Sequence, residues 1–318
     1  MTIHKVSAQA IGHAVKLLKS GEVVAFPTET VYGLGAVALW DHPVTKIYAL
    51  KSRPPENPLI VHVTNLEMAK SLAVLDDRAQ SLIEAFWPGP LTIVVELRED
   101  ASVSKWVTSG LPTVAIRSPS HDVARKLMLE LDLPLAAPSA NRSGRVSATS
   151  AAHVVDEFDD ALSFVLDGGS CPIGLESTIV DLSTLGSASL LRPGGLARKL
   201  VEDVIGPMDD GLDEKGVIKS PGRLKHHYAP TLPLRLEARL PLANEAFLAF
   251  GPTDRTNAIA TLNLSEAADL EEAAANLFSM LRALDHSDAE CIAVGPVPDR
   301  GLGEAINDRL RRAATPKQ

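Results

Sequence analysis

Apolar and polar residues follow one another along the chain in short strand-like runs separated by longer amphipathic stretches. Ile11, Ala14, Val15 and Leu18 recur at helical spacing, and Gly21 follows them, so this pattern predicts a helix that ends there. Further helices are predicted over residues 44–49, 77–86, 122–131 and 151–158, and strands over residues 23–26, 59–63, 91–97, 113–116, 135–137, 164–166, 178–182 and 189–191. Because strands and helices do not alternate strictly, residues 1–205 are expected to form one α/β domain around a mixed, strongly twisted sheet.

Residues 206–230 interrupt this pattern with glycines, prolines and polar residues that show no periodicity. A connection of that length inside a folded chain is either disordered or functional. After it, strands are predicted over residues 232–236, 247–250, 258–262 and 291–294, and helices over residues 266–284 and 302–313. These elements predict a second, smaller α/β domain over residues 231–318, with a Rossmann-like arrangement.

The composition narrows the possible functions. The formal net charge is −9, from 31 basic and 40 acidic residues, and only 4% of residues are aromatic. We therefore expect neither a large surface that binds nucleic acid nor one that binds anionic membranes, although the composition is compatible with a local basic pocket. Cys171 and Cys291 lie in no disulfide or zinc pattern, and no apolar run approaches 18 residues. These features, with a polar N-terminal segment, predict a cytoplasmic protein that has no membrane span.

The sequence gives little support to the common classes of nucleotide-binding and metal-dependent enzymes. Residues 33–38 fit the form GxGxxA, but residues 40–43 separate them from the next helical pattern. A dinucleotide fingerprint must open a helix, so we expect a glycine-rich turn here instead. The chain contains neither a P-loop nor an HExxH motif, and the adjacent pair His226 and His227 is expected in a surface turn.

Two cations precede a rigid segment. Lys51 and Arg53 are two positions apart, so both point the same way in an extended chain, and the proline-rich residues 54–58 follow them. Long cations held on a stiff loop suit phosphate oxygens. A solvated basic surface explains the same residues equally well.

Polar side chains also recur where predicted strands end. Ser139 and Asn141 follow one strand and Arg117 ends another, and residues 174–178 and 192–195 combine polar groups with glycines. Ligands bind at such strand ends in open α/β sheets, and an arginine there suits a carboxylate or phosphate. Ordinary turns and a structural salt bridge are the alternatives.

Taken in order, several segments closely resemble those of the threonylcarbamoyl-AMP synthase family, with its YrdC-like domain, in the longer two-domain form. The matching segments are residues 26–35, 51–62, 86–92, 114–119, 138–144, 167–169, 176–181, 191–194, 220–222 and 227–230. The resemblance implies synthesis of threonylcarbamoyl-AMP from L-threonine, bicarbonate and ATP with release of pyrophosphate, and Mg²⁺ on the ATP phosphates. The sequence departs from the family pattern at Ala148 and at residues 223–226.

The same resemblance implies roles for individual residues. On the nucleotide side it implies Lys51, Arg53, Ser139 and Asn141 as the catalytic set, and Arg53, Asn57, Thr113, Ser139, Ser147, Arg192 and Tyr228 as ATP contacts. On the amino-acid side it implies Thr30, His62, Arg117, the Ala137 backbone and Ser177 as threonine contacts, with Arg117 on the carboxylate. The resemblance does not identify the magnesium ligands.

The resemblance further implies that a separate transferase complex uses the product to make N6-threonylcarbamoyladenosine at position 37 of tRNA. Direct tRNA binding is then expected to be weak or absent. Because the carbamate of threonine hydrolyses easily, residues 206–230 are expected to act as a lid. The alternatives are a double-stranded-RNA or tRNA-binding module, a carbamoyl-transfer domain of the hydrogenase-maturation type, and a relative that hydrolyses the adenylate.

Overall fold

The first part of the chain folds around one mixed sheet. In the computed structural model, which describes residues 2–211, 228–254 and 256–315, this sheet has eleven strands in the order β1-β8-β2-β3-β7-β4-β6-β5-β9-β10-β11. The strands are β1 (Thr2–Lys5), β2 (Val24–Phe26), β3 (Gly33–Val37), β4 (Ile60–His62), β5 (Leu91–Glu96), β6 (Thr113–Arg117), β7 (Leu135–Ala136), β8 (Phe164–Asp167), β9 (Thr178–Asp181), β10 (Ser189–Arg192) and β11 (Asp209–Asp210). Parallel and antiparallel pairs both occur, so the predicted mixed sheet is confirmed.

Helices cover this sheet and bury their apolar sides against it. They are α1 (Ala8–Lys19), α2 (Asp41–Lys51), α3 (Leu66–Leu72), α4 (Asp77–Phe86), α5 (Lys105–Thr108), α6 (Asp122–Leu131), α7 (Ala151–Phe158) and α8 (Arg198–Ile205), with a short 3-10 helix at Asp159–Ala161. Ser7, Asn65 and Asp76 begin α1, α3 and α4 by accepting a hydrogen bond from a backbone N–H of the first turn. No helix in the described ranges is long and apolar enough to cross a membrane.

The register of the sheet brings distant polar residues into one row. His62 of β4 pairs with Arg117 of β6, and Arg117 pairs with Thr92 of β5. Thr92 in turn pairs with Ile179 of β9, which pairs with Arg192 of β10. Side chains in one row of a sheet share a face, so His62, Arg117 and Arg192 lie along the same side of five neighbouring strands.

The C-terminal part forms a separate parallel sheet with the strand order β12-β15-β13-β14. Its elements are β12 (Leu234–Arg235), β13 (Glu245–Ala249), β14 (Thr261–Asn263), α9 (Leu270–Asp285), β15 (Cys291–Val294) and α10 (Leu302–Ala313). The predicted small α/β unit is therefore confirmed. Its core includes Leu277 and Phe278 of α9, and the Tyr228 ring stacks on Phe278 with centroids 5.6 Å apart.

Two local predictions differ from the structure. Residues 33–37 form the buried strand β3 instead of a glycine-rich turn. A Cβ at Gly35 would lie 2.6 Å from Cε1 of Phe26, so this glycine allows two strands to pack closely. The first sheet also continues to Asp210, beyond the expected end of the domain at residue 205.

Most of the predicted linker, residues 212–227, lies outside the described residues, and the pair His226 and His227 lies there too.

Candidate functional site

A cavity lies at the strand ends of the first domain, with about 460 Å³ of empty space when the solvent at its open mouth is included. Three arginines line it, Arg53, Arg117 and Arg192, and each is at most 7% exposed. Among the described residues, Glu176 is the one carboxylate in the lining. The remaining lining residues are Thr30, Val31, Ile60, His62, Ala137, Pro138, Ser139, Ser177 and Tyr228. Because buried cations need counter-charges, this excess of arginines indicates a site for anionic ligands.

The loop after α2 fixes Arg53. Its Nε donates to the carbonyl of Asn57 at 2.9 Å, and its Nη2 donates to Oδ1 of Asn57 and to the carbonyl of Pro58, both at 2.7 Å. Burial lowers the pKa of Arg53 to about 10, so the guanidinium stays charged at neutral pH. Asn57 thus acts from behind the cavity by holding Arg53 in place.

Lys51 holds the segment after β7. Its Nζ donates to the carbonyl of Ser139 at 2.5 Å and to the carbonyl of Asn141. Burial lowers the pKa of Lys51 well below its usual range. The side chain of Asn141 bonds to the carbonyls of Arg142 and Arg145, at 2.8 and 3.0 Å. Among the described residues, Lys51 and Asn141 are absent from the cavity lining, whereas Ser139 is part of it.

Arg117 ends β6 and is anchored on the loop between β2 and β3. Its Nη1 donates to Oγ1 of Thr30 at 2.9 Å, and its Nη2 donates to Oε1 of Glu29 at 2.7 Å. Its Nε donates to the carbonyl of Gly89 at 3.3 Å. Each terminal nitrogen carries two hydrogens, so one N–H of each stays available for a ligand.

Ser177 and Arg192 meet beside β5. The guanidinium of Arg192 donates to the carbonyl of Ser177 from Nε and Nη2, at 3.1 and 3.0 Å, and to its Oγ at 3.2 Å. The Ser177 hydroxyl also bonds to Oγ1 of Thr92 at 2.7 Å. Burial lowers the pKa of Arg192, against the raising effects of Tyr228 and Glu176. Arg192 is therefore the third fixed arginine of the cavity, on β10.

His62 gives the cavity a neutral polar group. Burial, and after it the charge of Arg117, lowers the pKa of His62 to about 3. Its Nδ1 is buried and has no hydrogen-bond partner among the described residues. A neutral imidazole beside Arg117 can exchange a hydrogen bond with a ligand without adding positive charge.

The predicted residues divide into two groups. Nine of them line the cavity: Thr30, Arg53, His62, Arg117, Ala137, Ser139, Ser177, Arg192 and Tyr228. Lys51, Asn57, Thr113, Asn141 and Ser147 are not part of the described lining. Thr113 lies at the opposite end of β6 from Arg117, two positions before the residue that pairs with Ile60. The Oγ of Ser147 donates to Oε1 of Glu176.

Sequence reasoning missed three charged residues near the cavity. Glu29 orients Arg117, Glu176 lines the wall, and Arg309 of α10 donates to Oε2 of Glu176 at 2.9 Å. One signal for Arg309 was available in the sequence. It lies four positions after Ala305 and four before Ala313, so it interrupts an apolar helical stripe.

The described residues contain no group of three or more His, Cys, Asp or Glu side chains that could hold a metal ion. Both oxygens of Glu176 are already engaged, by Ser147 and Arg309. The part of the cavity wall that the structure describes thus offers arginines that suit phosphate oxygens and no cluster of carboxylates for a resident metal.

Known proteins resemble both parts of the chain. Residues 16–194 match the family model of Sua5, YciO and YrdC, described as telomere recombination. Residues 196–315 match the model described as threonylcarbamoyl-AMP synthase, C-terminal domain. The threonylcarbamoyl-AMP synthase of Bacillus subtilis is 41% identical, over 96% of this chain and 92% of that protein. The crystal structure of Pyrococcus abyssi Sua5 complexed with L-threonine has a TM-score of 0.91 at 36% identity, covering 99% of this chain and 98% of that one.

Proposed function

The chain belongs to the threonylcarbamoyl-AMP synthase family, and we propose that its cavity holds ATP and L-threonine side by side. The enzymes of this family make threonylcarbamoyl-AMP from threonine, bicarbonate and ATP. The convergence of Arg53, Arg117 and Arg192 on one cavity supports the proposal most directly, because the reaction brings together a triphosphate, a carboxylate and bicarbonate. Relatives that align over more than nine-tenths of both chains support the assignment of one function to the whole chain.

L-Threonine is assigned to the half of the cavity that contains Arg117. The two remaining N–H groups of its guanidinium suit the carboxylate, and Thr30 and Glu29 keep the side chain in place. His62 and Ser177 offer hydrogen bonds to the amine and hydroxyl. The Ala137 N–H already donates to the carbonyl of Ile60 at 3.0 Å, so Ala137 contributes through its other atoms.

ATP is assigned to the half that contains Arg53 and Arg192. Both guanidiniums suit phosphate oxygens, and Ser139 and Tyr228 border the same space. Five further residues lie outside the described lining, and in the proposal each one either holds a contact residue in place or extends the site: Lys51, Asn57, Thr113, Asn141 and Ser147. The proposal thus keeps all the residues expected from the sequence but separates direct contacts from support.

The chemistry needs positioning more than covalent catalysis. The threonine amine and bicarbonate form a carbamate with loss of water, and a carbamate oxygen then attacks the α-phosphorus while pyrophosphate leaves. Fixed arginines around the reacting groups neutralise the negative charge that would otherwise keep these anions apart. No nucleophilic side chain is required in this scheme.

Magnesium is proposed to enter with ATP, bound to phosphate oxygens and water as part of the substrate. A separate transferase complex is proposed to take the product for tRNA modification, with little direct tRNA binding by this chain. A cytoplasmic location follows in the proposal from the need for ATP and tRNA. Residues 206–230 remain the proposed lid. Tyr228, the first described residue after 212–227, lines the cavity and packs in the C-terminal core.

Release of pyrophosphate tests the proposal. With ATP and bicarbonate present, release is expected with L-threonine, and much less with L-serine or without an amino acid. Arg53→Ala should abolish release while the protein still folds, because it removes a cation from the nucleotide half. The matched control is Arg98→Ala, which removes an exposed arginine paired only with Asp100 among the contacts described. Release that does not depend on threonine, or full activity in Arg53→Ala, would contradict the proposal.

A further inference from the structure

Arg309 of the C-terminal domain is buried beside the nucleotide half of the cavity. The residue is 0% exposed, although it lies on α10, far along the chain from the other charged groups of the site. Its Nε donates to Glu176 at 2.9 Å and its Nη1 to Asp308 at 2.7 Å. Its guanidinium carbon lies 5.0 Å from the centroid of the Tyr228 ring. Arg309 therefore contacts two residues of the cavity wall without lining the cavity itself.

Glu176 links Arg309 to the nucleotide half. One of its oxygens accepts from Arg309, and the other accepts from the hydroxyl of Ser147. Glu176 is 5% exposed and lines the same cavity as Arg192 and Tyr228. Burial would raise its pKa, but the charges of Arg309 and Arg192 lower it to about 2, so the group is a carboxylate at neutral pH.

An ionised carboxylate in this position is unfavourable for a triphosphate. Like charges that face each other in a partly dry site repel strongly, because the local dielectric is low. Arg192 cannot fully neutralise both the Glu176 carboxylate and the phosphates, since its guanidinium is already bonded to Ser177 and also borders the cavity. Arg309, on the far side of Glu176, is the cation that can neutralise the carboxylate and leave Arg192 to the nucleotide.

We propose that Arg309 is a positioning residue for ATP, supplied by the C-terminal domain, which cancels the charge of Glu176 and holds it against Ser147. This inference rests on the proposed assignment of ATP to the Arg53 and Arg192 half of the cavity. It gives the C-terminal domain a defined part in nucleotide binding.

A second arginine of the same domain supports the same wall. Arg282 of α9 donates from Nη2 to Glu157 at 2.8 Å and also to the carbonyl of Val146. Glu157 in turn accepts from the backbone N–H of Arg142 at 3.0 Å. The C-terminal domain therefore holds the 142–147 segment from two helices, and the hydroxyl of Ser147, at the end of that segment, donates to the carboxylate that Arg309 orients.

A charge-cancellation cycle tests the proposal on the full chain. Arg309→Met leaves Glu176 unpaired, so KM for ATP in threonine-dependent pyrophosphate release should rise about tenfold or more, with KM for threonine changed less than about threefold. Adding Glu176→Gln removes the unpaired charge, so the double variant should return KM for ATP to within about threefold of the wild type.

Arg198→Met is the matched control, because it breaks another ion pair between the domains, from Arg198 to Glu304 at 3.0 Å, whose members do not line the cavity. Its KM for ATP should stay unchanged, and the melting temperature of every variant reports on folding. Should Arg309→Met not fold, Arg309→Lys keeps the charge, and KM for ATP within about threefold of the wild type is expected.

A double variant as impaired as Arg309→Met, or equal rises in both KM values, would overturn the proposal and show a purely structural role. A raised KM for ATP in Arg192→Met, together with an unchanged KM for ATP in Arg309→Met, would overturn the proposal while leaving the proposed function intact. Absence of threonine-dependent release in the wild type would instead overturn the proposed function.

Discussion

Arg117 and Glu29 form an ion pair beside the cavity, with Nη2 donating to Oε1 at 2.7 Å and side chains that are only 5% and 7% exposed. The second oxygen of Glu29 accepts the backbone N–H of Ser120 at 3.1 Å, so the carboxylate is held at both ends. Because Glu29 and Thr30 take one N–H from each terminal nitrogen of Arg117, they decide which N–H groups face a ligand. Glu29 is thus the anchor of the residue that we assign to the threonine carboxylate.

Glu29→Gln should weaken threonine binding specifically. The variant keeps the size of the side chain but removes the charge that orients Arg117, so KM for threonine should rise about tenfold with KM for ATP nearly constant. Glu22→Gln is the control, because its partner Lys46 lies on the surface side of the fold with 31% of its side chain exposed. Steady-state kinetics decides the matter, and a rise in KM for ATP alone would argue against this role.

His62 should make the folded protein sensitive to acid. Its pKa is about 3 in the folded state because of burial and Arg117, whereas an unfolded histidine titrates near 6.5. Between these values the unfolded chain binds a proton that the native state does not, so stability falls as pH falls from about 6.5 towards 3, by about 1.4 kcal/mol per pH unit for this group.

Thermal unfolding from pH 7 to pH 4 measures this effect. His62→Gln should show a smaller loss of melting temperature over that range than the wild type. The half-buried His153, whose pKa burial lowers to about 4, is present in both proteins and so contributes equally to both curves. Parallel pH profiles in the two proteins would mean that His62 is protonated in the native state.

Gly174 is a position where the two domains approach closely. It has a φ of +73°, and a Cβ there would lie 2.5 Å from the carbonyl oxygen of Ala274 and from the Cα of Ala275 in α9. Gly169 has a similar φ of +84° but no atom within 4 Å of its Cβ position, so it separates backbone strain from the clash.

Gly174→Ala should therefore lower stability by about 1–3 kcal/mol more than Gly169→Ala, which carries only the left-handed strain of about 1–2 kcal/mol. Displacement of α9 should also raise KM for ATP in Gly174→Ala, because Arg282 of that helix holds the 146–147 backbone. Denaturant unfolding and kinetics of the two variants together provide the comparison. Equal stability losses would show that the domain contact yields easily.

The regular elements could be predicted from the sequence where their periodicity is strong. The helix expected over residues 122–131 is α6 (Asp122–Leu131), and the strand expected over residues 91–97 is β5 (Leu91–Glu96). β3 could not, because Gly33 and Gly35 weaken the strand signal, and the glycine at 35 is required by the ring of Phe26. β1 was missed because it is a largely exposed edge strand with little apolar pattern.

Many of the residues that line the candidate site could be predicted from the sequence, but their electrostatic support could not. Resemblance at the motifs identified Arg53, Arg117 and Arg192. The carboxylates that hold or balance such groups depend on tertiary contacts: Arg117 bonds to Glu29 across 88 positions, and Arg309 bonds to Glu176 across 133. No local pattern reports a partner at that distance, so these roles needed the fold.

The central claim is that one cavity divides its arginines between two substrates, and calorimetric binding to Arg117→Met and Arg192→Met tests it most directly. Arg117→Met should lose affinity for L-threonine at least about tenfold and keep its affinity for Mg-ATP. Arg192→Met should show the reverse. Loss of the same ligand in both variants, or unchanged binding of both ligands in either, would contradict the account.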